Sequence, residues 1–102
     1  MKIKEFLQTK LNNFEIFMKE QIDKIQLSEN NKNKLLGELS FFKNEPTAFI
    51  SVFGQLPNDT DKAIKKYCLN YNIEIDKIKD KIDYDKLKRY LEMFKETIQT
   101  LK

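Results

Sequence analysis

The stretch YDKLKRYLEMFKETIQTL, residues 84–101, decides the fold class. In it Tyr84, Leu87, Leu91, Phe94, Ile98 and Leu101 recur at alternating steps of three and four residues. Side chains three or four apart share one face of a helix, so this spacing writes a single apolar seam. Asp83 just before it is positioned to cap the helix with its carboxylate. The seam is shorter than the ~3–4 heptads that sustain an independent coiled coil, and it suits packing inside a bundle. A homodimer through the 84–101 seam is the alternative to a monomer.

The beginning of the chain has the same period. Leu7, Leu11, Phe14, Met18, Ile22 and Ile25 lie on one face of a helix over about 3–26, widened by Ile3, Phe6 and Phe17. Ser28 is a natural N-cap for a second helix bearing Leu35, Leu36, Leu39, Phe41 and Phe42, with Gly37 inside it. Pro46 suits the first turn of a short third helix, about 46–54, which Gly54 would end in the left-handed conformation. Asp59 or Thr60 caps a fourth helix over about 60–71, with Asn72 as its C-cap. Ile75, Ile78 and Ile82 fit two further turns capped by Asp76. The expected architecture is all-α: one domain over residues 1–102, a compact bundle of four to five helices, the first and last longest and adjacent.

Composition removes whole classes of chemistry. The 102 residues contain no His, one Cys and two Gly. Ser-His and Cys-His nucleophile pairs, His-ligated metals, a Cys₄ site and a glycine-rich phosphate loop are therefore ruled out. Asp76 and Asp80 would share a helix face, but lysines flank them, and capping or surface ion pairing explains them better than acid–base catalysis. The run from Asp76 to Asp85 lacks the central Gly of a calcium loop. Cys68 falls on the inner side of its helix, as a buried thiol does. No catalytic residue, cofactor or metal is expected. No run is long and apolar enough to span a bilayer, and no apolar secretory core follows Met1. A reducing cytoplasm, of a cell or of an infected host, is the expected location.

Charge gives a weaker signal. Eighteen Lys and one Arg oppose 16 Asp and Glu, a net charge of +3 with no basic tail. The abundance of Lys, Asn and Ile fits a coding sequence rich in A and T, which raises Lys without selection for phosphate contact. Lys62, Lys65 and Lys66, with Lys86, Lys88 and Arg89, could still form a phosphate-binding strip. The helices at 46–54 and 60–71 loosely resemble a helix-turn-helix, but Pro57 interrupts the connection and Lys is poorly suited to reading bases.

The aromatic run is less ordinary. Phe41, Phe42, Phe49 and Phe53 fall within thirteen residues, among Ile50, Val52 and Leu56. They are either core or the buried centre of an interface, where aromatics are enriched. The functional expectation is a small non-enzymatic interaction module, an adaptor, chaperone-like factor or inhibitory regulator. It would hold a protein partner through Phe42, Phe49, Ile50, Phe53 and Leu56. The alternative is a Lys-rich nucleic-acid binder using Lys62, Lys65, Lys66, Lys86 and Arg89.

Overall fold

The computed structural model describes the backbone of residues 3–100 and the side chains of residues 5–100. Leu101, the last position of the expected seam, lies outside the described residues, as does the side chain of Ile3. The elements are α1 (Ile3–Ile22), α2 (Glu29–Asn44), α3 (Pro46–Phe53), α4 (Thr60–Leu69), α5 (Ile75–Ile78), a 3₁₀ turn (Lys79–Lys81) and α6 (Tyr84–Thr100). No strand occurs among the described residues. Six helices replace the expected four to five, because residues 75–78 form a separate single turn. The length pattern also differs: α2, with 16 residues, nearly equals α6, with 17. The radius of gyration, 13.1 Å, is that of a compact chain of this size.

Short polar side chains set most of the boundaries. The Ser28 hydroxyl accepts from the Asn31 N–H, opening α2. Asp59 does the same for α4 through the Lys62 N–H at 3.0 Å, and Asp83 for α6 through the Lys86 N–H at 3.1 Å. Pro46 sits in the first turn of α3. One terminator differs from expectation and one does not. Gly54 stays right-handed (φ −63°, ψ −19°). Asn72 is the left-handed residue, with φ 58°. Around it the Ile73 N–H bonds the Cys68 carbonyl and the Asn72 N–H bonds that of Leu69. This is a Schellman ending, and Ile73 returns to the core; the N–H groups of Asn70 and Tyr71 bond carbonyls only three residues back and tighten the last turn, so regular α4 stops at Leu69 rather than 71. α1 ends at Ile22 rather than 26, because tight turn bonds from the N–H groups of Lys24 and Ile25 redirect the chain. Asp76 caps nothing; it lies in the first turn of α5, whose N-cap is Glu74.

The seam of α6 faces inward. Leu87, Leu91, Phe94 and Ile98 are buried within the chain, so the homodimer expected through them does not fit this fold. α6 meets α1 through rings: Phe14 lies 5.4 Å from Phe94, and Tyr90 lies 5.2 Å from both Phe14 and Phe17, between ring centroids. Phe49 and Phe53 bring α3 onto the same cluster, at 4.8 and 5.7 Å from Phe94. Such edge-on and tilted pairs each add about 0.5–1.5 kcal/mol beyond area burial.

Two buried polar side chains fix helix registers. Glu15, inside the α1–α2 contact, accepts from Lys43 Nζ at 3.1 Å. Gln21 Oε1 accepts the Asp83 N–H at 2.8 Å, tying the start of α6 to the end of α1. In both contacts the acceptor is the buried member, so removing Lys43 leaves the desolvated Glu15 carboxylate behind, which is the costly way to break such a contact.

Candidate functional site

The aromatic run divides on folding. Phe42, Phe49 and Phe53 are 5, 1 and 5% exposed, so in this fold they are core rather than partner surface. Their spacing places all three on the inner sides of α2 and α3, where they stack on one another: Phe42–Phe49 at 5.5 Å and Phe49–Phe53 at 4.3 Å. Ile50 and Leu56 are half-buried. Phe41 and Val52 are exposed, on the opposite sides of their helices from the buried set.

The lysine strip is also divided. Lys62, Lys65 and Lys66 share the solvent face of α4 with Leu69, which is exposed. Lys65 is engaged by Asp76 at 3.2 Å, and Lys88 by Asp61 at 3.5 Å. Lys86 turns the other way, its Nζ 5.3 Å above the Phe17 ring of α1. The Tyr84 hydroxyl donates to Asp61 at 2.6 Å and holds that carboxyl below its usual range, helped by Lys88. Hydrogen bonds from Lys65 and Lys79 depress Asp76 in the same way. These carboxylates put negative charge among the lysines.

Asp76 and Asp80 do not share an α-helix, since α5 ends at Ile78 and both side chains are exposed. Burial pushes the Cys68 thiol up to about 12, which suppresses the thiolate. The apolar void beside Cys68, lined among others by Met18, Ile22 and Leu87, measures ≈ 20 Å³. That is about one probe sphere, too small for an organic ligand. Among the described residues no group of three Cys, Asp or Glu could hold a metal ion, and no helix is long and apolar enough to cross a membrane.

The most site-like surface lies where α1 and α6 run together. Asn13, Ile16, Phe17 and Glu20 from α1 and Lys86 and Tyr90 from α6 line an open hollow of ≈ 210 Å³. Lys86, Arg89, Tyr90 and Met93 line a second, of ≈ 240 Å³. Sharing Lys86 and Tyr90, the two join into one groove. The helical period explains it. Positions 86, 90, 93 and 97 form the edge of α6 beside the buried seam, and positions 13, 16 and 20 form the matching edge of α1. Bulky rings keep the helices apart, and the edges do not close over them. Ile16 is 50% exposed. Lys86 and Arg89 join no ion pair among the described residues. Sequence reasoning placed Arg89 and Lys86 in the nucleic-acid strip and assigned no role to Ile16, Tyr90 or Met93. The available signal was their position one step off each seam.

No protein-family model, curated protein or solved structure matches this chain.

Proposed function

We propose that the chain is a small non-enzymatic protein–protein interaction module, of the adaptor, chaperone-like or inhibitory kind, that docks its partner in the α1/α6 groove. One observation carries the reading. The groove gathers Tyr90, Met93, Phe17 and Ile16 with Arg89, the chain's single arginine, on an otherwise Lys- and Asn-rich surface. Tyr, Phe, Met and Arg are the residues enriched where protein interfaces exclude water. The occupant is a partner segment presenting an apolar side chain beside a carboxylate. The apolar part fills the hollows, and the carboxylate answers Lys86 and Arg89, which outnumber the one acidic lining residue, Glu20.

The test is a pull-down with the wild type and with an Ile16→Asp/Arg89→Glu double variant. Both positions are exposed, so the fold should survive. A protein retained by the wild type in moderate salt and after nuclease, and lost by the double variant, supports the reading. Equal retention by both, or a capture emptied by nuclease, overturns it. The second outcome favours the nucleic-acid alternative, supported by the shared exposed face of Lys62, Lys65 and Lys66. That reading requires binding that weakens steeply with salt and is lost when these three become Gln.

A further inference from the structure

The two halves of the α1/α6 groove repeat one pattern. Asn13, Ile16, Phe17 and Glu20 stand at steps i, i+3, i+4 and i+7 of α1, and Lys86, Arg89, Tyr90 and Met93 stand at the same steps of α6. Four residues so spaced outline the hole on a helix surface into which a side chain of a facing helix inserts. The two holes lie side by side. Phe14 meets Phe94 and Tyr90, whereas Phe17 meets Tyr90 and Lys86, so α1 and α6 run antiparallel. The inner corners, Phe17 and Tyr90, touch with ring centroids 5.2 Å apart. Ile16 and Arg89 are the outer corners, and both are exposed. Both holes open outward, and no described element fills them.

We infer that the occupant of this groove is an amphipathic α-helix of a protein partner, seated by one apolar side chain in each hole. The inference rests on the α1/α6 docking reading above and gives the partner segment its form. Hydrogen bonding disfavours the extended alternative. An extended segment binds by pairing its N–H and C=O groups with an open sheet edge. Here both walls are helices, whose mid-helix N–H and C=O groups are already paired along their own axes. A strand laid between them would turn main-chain groups towards walls that offer no main-chain partner, whereas a helix arrives with its own bonds satisfied. Side chains that reach both holes from one helix must share a face, so they stand three or four residues apart. Charge sets what lies beside them. Lys86 and Arg89 border the α6 hole, and Glu20 borders the α1 hole. Asp85 and Glu92 flank Arg89 on the side away from the groove. The side chain in the α6 hole therefore has an Asp or Glu one turn away, over Arg89, and the α1 side takes no second carboxylate beside Glu20.

The probe is a phage-displayed library of random peptides of about 16 residues, some four turns of helix. It is selected on the full chain and sorted by loss of binding to the Ile16→Asp/Arg89→Glu variant. Groove binders should carry apolar residues three or four apart, with Asp or Glu one turn from one of them. Their circular dichroism should become helical on binding. Proline at a solvent-facing central position of such a peptide should weaken binding on the order of a hundredfold, whereas alanine there should change it by less than about twofold. Exchanging the carboxylate for Lys should weaken binding about tenfold, and Arg89→Glu should recover most of that loss. Groove binders that tolerate the proline, or that stay non-helical when bound, overturn the helix and leave the docking reading standing. A carboxylate exchanged for Lys without loss overturns the charge assignment. A selection that yields no binder sensitive to the double variant overturns both readings.

Discussion

Replacing Phe49 separates a core role for the aromatic run from a binding role. Its ring is 1% exposed and touches Phe42, Phe53 and Phe94, with centroids at 5.5, 4.3 and 4.8 Å. Phe→Ala in a core costs about 3–5 kcal/mol, more where the surroundings cannot collapse. Three rigid rings from α2, α3 and α6 line this site, so about 4 kcal/mol is expected. With a urea m-value of about 1.5 kcal/mol/M, the unfolding midpoint falls by about 2.7 M. A domain at the lower end of the usual range of about 5–15 kcal/mol would be close to unfolding, so Phe49→Leu, at about 1.5 kcal/mol, is the milder companion. Phe41→Ala, at an exposed ring, should stay within about 0.5 kcal/mol of the wild type. Urea titration followed by far-UV circular dichroism measures all three. A midpoint for Phe49→Ala within about 0.3 M of the wild type would refute the buried cluster and return residues 41–56 to the list of partner surfaces.

Other outcomes follow from single features. Asn72→Ala should lose about 1 kcal/mol, because alanine tolerates the left-handed backbone poorly, while Asn72→Gly should not; equal melting of Ala and Asn forms would contradict the Schellman ending. Gly37→Ala should gain about 0.5–1 kcal/mol, since the new methyl meets nothing; a lower melting temperature would argue against open space there. Burial raises the hydroxyl pKa values of Tyr67 and Tyr71 above their ordinary value. The folded chain then holds protons that the unfolded chain releases above about pH 10, so stability is intact below that pH and falls as pH rises, by up to about 1.4 kcal/mol per pH unit for each tyrosine. A flat stability curve through alkaline pH, with Tyr67→Phe and Tyr71→Phe as comparisons, would count against it. Asp61 and Asp76 are shifted downward, so their contribution is present above about pH 4 and fades as pH falls through their folded values. Asp61→Asn and Asp76→Asn should flatten the acid limb of a stability–pH curve.

The helices and their inward faces were legible because they obey a local rule, the 3.6-residue period. Leu7 to Ile22 and Leu87 to Ile98 are buried where the spacing puts them. Ser28, Asp59 and Asp83 were legible for a related reason: an N-cap reaches only three residues along its own chain. What depends on partners distant in sequence was not legible. Glu15 and Gln21 look like surface residues on α1 until Lys43 and the Asp83 N–H arrive from 28 and 62 residues away. Gly54 did not take the left-handed backbone expected of it, whereas Asn72, expected to end α4, did, because the destination of the next segment decides whether a permissive residue uses that region. The groove residues were obscured for a different reason. Ile16, Tyr90 and Met93 lie at the margin between seam and surface, and their exposure depends on how far bulky rings hold α1 and α6 apart.

That joining of α1 to α6 by rings has a consequence for synthesis. Phe14 must wait for Phe94, about 80 residues later, and at about 5–20 residues per second the delay is some 4–16 s. During that interval the emerging helices α1 to α3 carry Phe14, Phe17, Phe49 and Phe53 without their closing partner. Every shorter chain exposes this greasy surface to whatever lies near the ribosome. Slower translation through the α4–α6 segment therefore lengthens the time for which these rings wait for their closing partner.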